Sequence, residues 1–157
     1  MPLTIRGICV QILSSVQAHT IHGEICSTND CKVVLNHLVR KFSEPLTREN
    51  GHRRLVSRKV ANGATDDTVD DHAVPVIVIV EKLLRLPASE LPITQENLKK
   101  LEDFLRASLL IVEITRDEDL KLCSRGFQRC MPTSWSDPTS KLFQQHLARY
   151  VEAGIEV

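Results

Sequence analysis

An all-α fold, a compact bundle or short stack of five to six helices, is what this sequence predicts, and three observations predict it. Apolar residues recur at spacings of three and four along most of the chain, the period of a helix with one buried face. Between these stripes stand cap and stop residues, Ser, Thr, Asn and Asp before them and Gly and Pro after them. Of 157 residues, 42% are hydrophobic and 25% charged, enough apolar material for one core and too much for a disordered chain. A single helical domain over 1–157 is expected, divisible into a hairpin over 1–61 and a bundle over 73–157 across an acidic linker, 62–72.

The first stripe is Ile5, Ile8, Cys9, Ile12, Leu13 and Val16. Gly7 weakens it by about 1 kcal/mol relative to alanine. Gly23, Ser27, Thr28 and Asn29 read as a connection ending in an N-cap. The second stripe, Cys31, Val34, Leu35, Leu38, Val39 and Phe42, is expected to stop near Pro45, because the residue before a proline avoids helical dihedrals. Two such stripes close over each other as an antiparallel helical hairpin. A short helix fits 52–60, and Asn62, Gly63, Ala64 and Thr65 with Asp66, Asp67, Asp70 and Asp71 make the linker.

Val74, Val76, Ile77, Val78, Ile79 and Val80 are β-branched and suit a buried strand. Pro75 at a first helical position, and a helix-like continuation over 81–85, favour a buried central helix instead. Thr94 caps a helix over about 95–114, with Leu98, Leu101, Leu105, Leu109 and Val112 on one face and Phe104, Ile111 and Ile114 on a second. Its end has strand propensity, so an α/β fold with buried strands near 74–80 and 109–114 is the alternative. Thr115 and Glu118 form a capping box that opens a helix with a stripe of Leu120, Cys123, Phe127 and Cys130. Ser136, Asp137 and Pro138 start the last helix, with a face of Leu142, Phe143, His146, Leu147, Tyr150 and Val151; Gly154 closes it.

Leu83, Leu84 and Leu86, then Leu91-Pro92-Ile93-Thr94 with Glu96 and Leu98, are similar to a segment of the small helical domain at the front of transcription elongation factors. The likeness spans residues 83–98, and Phe104 stands about where that family has the glycine of an Ile-Gly pair, so no family is assigned on it.

Charge and composition exclude some classes. Twenty Lys and Arg balance twenty Asp and Glu, and aromatics are 4%, which argues against a general nucleic-acid or membrane binder and removes stacking platforms. Gln11, Ser14, Ser15 and Gln17 break the first apolar stretch, unlike a secretory signal. No apolar run reaches the ~18 residues of a membrane span. The five cysteines are an odd number and fit free thiols in a reducing setting, so an intracellular place, cytoplasm or nucleus, is expected.

Three clusters offer chemistry. His19, His22, Cys26 and Cys31 supply the four donors that zinc takes, but their spacing is not a common zinc pattern, and Cys31 also opens the second stripe. No cofactor is expected, zinc at this set being the one exception. Arg48, Arg53, Arg54, Arg58 and Lys59 suit phosphates, although the acidic run beside them can neutralise them. That run spells D-D-x-x-D, as in the magnesium motif of helical isoprenoid synthases, yet it sits among loop residues in a chain of half the length. There is no G-x-S-x-G, H-E-x-x-H, Walker loop or C-x-x-C, and no enzyme is expected. The expected function is a non-enzymatic helical protein–protein interaction domain, a subunit or adaptor of an intracellular assembly. Its partner is another protein or a second copy, met through Phe143, Leu147 and Tyr150. The competing expectation is a nucleic-acid-associated helical protein using residues 48–59.

Overall fold

The computed structural model describes residues 1–64 and 66–157; Thr65, in the expected linker, lies outside them. In chain order the elements are α1 (Ile5–Ile21), α2 (Thr28–Arg48), β1 (Arg54–Val56), α3 (Arg58–Ala61), β2 (Thr68–His72) and α4 (Val76–Leu84). A short turn of 3₁₀ helix (Ala88–Glu90) follows, then α5 (Gln95–Ser108), β3 (Ile111–Thr115), α6 (Arg116–Ser124), α7 (Thr133–Ser136) and α8 (Ala148–Ala153). The fold is mixed, helices with a three-stranded sheet, which corrects the all-α expectation. Two compact units divide the chain: Met1–His52 with Ile79–Ala107, and Arg53–Val78 with Ser108–Val157. No helix among the described residues is long and apolar enough to cross a membrane.

The helical unit is built on the α1–α2 hairpin. Thr4 caps α1, its Oγ1 accepting from the Gly7 N–H at 3.1 Å. Ser27 and Asp30 cap α2 reciprocally. The pair is antiparallel, since the Cys31 thiol donates to Ser15 O at one end and the Arg48 guanidinium donates to Leu3 O at the other. All six residues of the first stripe are buried. On α2 the buried set is Cys31, Leu35, Val39, Phe42 and Leu46, while Val34 is exposed. The helix does not stop at Pro45. In the last turn a proline forfeits only one i→i−4 bond, and here it is buried, so α2 runs on to Arg48. Ile79, Val80 and Leu83 of α4 and Leu98, Leu101 and Leu105 of α5 are the other buried apolar residues.

The second unit holds the sheet, in the order β1-β3-β2, with β1 parallel and β2 antiparallel to β3. The segment expected as the end of a helix, 109–114, leaves α5 after Ser108 and becomes β3. Its β-branched residues suit a pleated surface. Val112 and Ile114 join a core with Ala73, Leu110, Leu122, Tyr150, Ala153 and Ile155. Glu113, between them in sequence, accepts from Thr68 Oγ1 at 2.7 Å. The alternative strand near 74–80 is not formed, because α4 starts at Val76, directly after Pro75. The short helix expected over 52–60 is replaced by β1 and then α3, which Ser57 caps. Residues 68–72 of the expected linker form β2, where the exposed Arg54–Asp70 pair spans the sheet at 2.7 Å.

Two helix expectations fail in this unit for reasons of local bonding. The capping box of Thr115 and Glu118 does open α6, but α6 ends at Ser124, and Gly126 takes φ 76°. Leu122 is its buried apolar residue and Leu120 is exposed, so the expected stripe is out of phase. The long last helix is reduced to α8, six residues closed by Gly154 at φ 69°. Asp137 accepts instead from the N–H and hydroxyl of Thr139, turning the chain. Phe143 and Gln145 bond three residues back, not four, and Gln144 sits at φ 54°.

Arg149 is the unusual core residue, with 1% of its side chain exposed. Its Nε donates to Ala73 O at 3.0 Å and its Nη2 to Asp71 Oδ2 at 2.6 Å, while further bonds reach His72 O and Phe127 O. Tyr150 donates its hydroxyl to the same Asp71 oxygen. Arg149→Ala strands a carboxylate and three carbonyls and is expected to cost about 3–5 kcal/mol. Tyr150→Phe, which deletes one hydrogen bond, costs about 1–2 kcal/mol. Denaturant unfolding read by circular dichroism checks both, and an Arg149→Ala loss smaller than that of Tyr150→Phe contradicts the ordering.

Candidate functional site

The turn between α1 and α2 is the first surface feature of the helical unit. Past the end of the buried stripe, Ile21 is 68% exposed and Ile25 80%, and Val33, on the outer side of α2, is 70% exposed. The turn itself is well tied. His19 Nδ1 and Cys26 O lie 2.8 Å apart, and the Cys26 N–H donates to His22 O at 2.7 Å. Those bonds use part of the set read as metal donors. Cys31 is buried against Ser15 O, while His22 is exposed. Among the described residues, no group of three or more His, Cys, Asp or Glu could hold a metal ion.

The second feature is a pocket of about 350 Å³ in the same unit. Leu13 of α1, Leu86 after α4, and Leu101 and Phe104 of α5 make its apolar walls. Lys82, Glu90, Asn97 and Lys100 supply its polar groups. The Asn97 amide donates to Ser89 O at 3.1 Å and Pro92 O at 2.9 Å, which fixes the connection from α4 to α5. Gln17 holds the same connection from α1, donating to Leu91 O at 2.6 Å. Lys82 Nζ lies 6.0 Å from the centre of the Phe104 ring, and burial lowers the pKa of its ammonium.

The basic residues do not form one uncompensated patch. Arg48 belongs to the helical unit, where it bonds Leu3 O. In the mixed unit Arg54 pairs with Asp70 and Arg58 with Glu156, and Arg116 meets Asp67 at 3.5 Å. Arg53 and Lys59 are exposed. Of the expected partner face, Tyr150 is fully buried and lies in the core. Phe143 and Leu147 are half-buried, and Leu147 packs against that core.

Sequence reasoning missed the exposed Ile21, Ile25 and Val33, whose signal was available: they are apolar residues outside the buried helical spacing. It also missed the pocket, whose walls come from residues 13, 86, 101 and 104, too far apart in sequence for any local pattern to join them. Compared with known proteins, the chain matches no family model, no curated protein and no solved structure.

All five cysteines are free thiols, and their surroundings differ. Burial, with the nearby charge of Glu102 adding to it, pushes the Cys9 thiol up to about 12. Burial raises Cys31, with Cys26 beside it adding to the shift. Tyr150 is raised by burial first and then by the Asp71 charge. The fold holds these groups protonated, so their contribution is complete below the ordinary thiol and phenol values, about 8.5 and 10, and is lost as pH climbs above them. Stability is therefore expected to fall from about pH 9 upwards, as denaturation midpoints at stepped pH measure. Alkylation at pH 8, followed by peptide mass spectrometry, is expected to modify the exposed Cys130 first and Cys9 only on unfolding. Equal labelling rates at the two sites contradict this.

Proposed function

We propose that this chain is a non-enzymatic protein–protein interaction domain, acting as a subunit or adaptor in an intracellular assembly. The observation that supports it is the exposure of three aliphatic side chains in this part of the chain, Ile21 and Ile25 at the α1–α2 turn and Val33 on α2. Exposed apolar groups lose hydration favourably when a partner covers them. The turn presents them on a braced support, because His19 and Ser27 bond it at both ends. Such a support loses little conformational entropy when a partner is bound.

The partner proposed is another protein; a standard interface covers ~800 Å² on each side, so such a partner would also grip polar neighbours of the turn. Free thiols, two of them buried, suit the reducing interior of a cell.

The test is the double variant Ile25→Asp with Val33→Asp. Both side chains are exposed, so the unfolding midpoint should shift by less than about 0.5 kcal/mol. In crosslinking and mass spectrometry from the native cell, a partner retained by the parent chain should be lost by the variant. Sedimentation of the parent chain should give a monomer. An unchanged set of partners, or a stable dimer, overturns the proposal.

A further inference from the structure

The start of α2 brings two sulfur nucleophiles to one turn of helix. Ser27 is the N-cap, and its capping box is complete: the Ser27 N–H donates to Asp30 Oδ2 at 3.0 Å, and the Asp30 N–H donates to Ser27 Oγ at 3.2 Å. Counted from that cap, Cys26 is the residue before it and Cys31 the fourth residue inside the helix. Those are the two positions whose side chains pack on each other in a hydrophobic staple. Contacts with α1 put both residues on one side of that helix. The Cys31 thiol donates to Ser15 O at 3.5 Å, and Cys26 O lies 2.8 Å from His19 Nδ1, one turn further along α1. In keeping with that nearness, charge on Cys26 adds to the upward shift that burial imposes on Cys31. The two thiols differ in access, Cys26 being half-buried and Cys31 2% exposed. A thiol reached from solvent with a shielded one beside it is the arrangement of an attacking and a resolving cysteine.

We propose that Cys26 and Cys31 are a redox pair that a hydroperoxide closes to a disulfide. With hydrogen peroxide, the Cys26 thiolate attacks one oxygen; the S–O bond forms as the O–O bond breaks, and hydroxide leaves with the electron pair. Cys26 is then a sulfenic acid. The Cys31 thiolate attacks its sulfur, the S–S bond forms, and the S–O bond breaks to release a second hydroxide. The protons that the two thiols gave up convert both hydroxides to water. The pair loses two electrons and the peroxide gains them. A dithiol reductant reverses the closure through a mixed disulfide. The pair does not depend on the surface proposed for the protein partner, and either can fail without the other.

The test treats the reduced, folded full chain with hydrogen peroxide, caps the remaining thiols by alkylation, and maps the peptides without reduction. Cleavage before Asp30 puts Cys26 and Cys31 on separate peptides, so a crosslinked peptide pair identifies the bond. That pair should be the main oxidised form of Cys26, and dithiothreitol should abolish it. Cys26→Ser should slow oxidation of Cys31 at least roughly tenfold, because a shielded thiol reacts slowly by itself. Cys31→Ser should leave Cys26 as a sulfenic acid, captured by dimedone. Circular dichroism verifies the folding of each variant; where Cys31→Ser fails to fold, the parent map and Cys26→Ser still decide. Three results overturn the proposal: Cys26 joined mainly to Cys9, Cys123, Cys130 or another chain; both thiols still alkylated once Cys130 is fully oxidised; or Cys31 oxidised at the parental rate in Cys26→Ser.

Discussion

Placing the guanidinium of Arg149 in a core with 1% of its side chain exposed imposes a constraint that the mixed unit is organised to meet. An ionised group in that position is tolerated only if its donors are matched, since desolvation costs several kcal/mol per ion. Matching them takes groups from three places: Asp71, His72 and Ala73 at the end of β2, Phe127 beyond α6, and Arg149 itself on α8. One side chain therefore fixes three segments that are far apart in sequence. A buried ion pair is a weak source of net stability compared with a packed apolar group. Its effect here is positional. A slip of β2 by one residue moves Asp71 to the other face of the sheet and puts Asp70 in its place. Only the observed register places a carboxylate on Arg149 while Asp70 meets Arg54 at 2.7 Å.

A second buried charge does similar work at the other ends of the strands. Glu118 is 3% exposed, and its Oε2 accepts from the Thr115 N–H at 2.9 Å and from Ser57 Oγ at 2.7 Å. Ser57 follows β1 and caps α3, whereas Thr115 ends β3 and caps α6. One carboxylate thus joins two helix starts to two parallel strands. This explains how a strand of three residues and a helix of four keep defined ends despite having almost no length over which to gain cooperativity.

What was legible in the sequence follows from how far each element reaches for its stabilisation. The α1 stripe is buried at every position named for it, because helical periodicity is a local signal. The capping box at Thr115 is readable for the same reason, as its partner is three residues away. The sheet was not readable. β1 has three residues, and β2 carries two aspartates, a residue type depleted in strands. Both exist through distant pairings, Arg54 with Ile111 for β1, and Thr68 with Glu113 and Asp71 with Arg149 for β2. The final helix failed from a different cause. A run of periodic apolar residues gives no warning that Asp137 will bond its own chain two residues on, or that Gln144 will adopt φ 54°.

The same distinction governs what can be read about sites. Charge runs are conspicuous in a linear sequence, and both of those singled out proved partly to be halves of one arrangement. Arg54 and Asp70 lie on the two outer strands of one sheet, and Asp67 meets Arg116 at the start of α6. Exposed pairs of this kind contribute at most about 1 kcal/mol each, so they cost the fold little to lose. They nevertheless offset charge that the sequence displays as two separate patches. A phosphate ligand then competes with carboxylates already seated on Arg54 and Arg58. Apolar residues invite the opposite error, because a stripe such as Leu147 and Tyr150 looks available until its covering is known. The informative apolar residues are those off the stripe, like Ile25 and Val33, since no element of their own unit needs them for its core. Folding leaves Ile25 and Val33 in water, so the core that the striped residues build is indifferent to a polar substitution at either position.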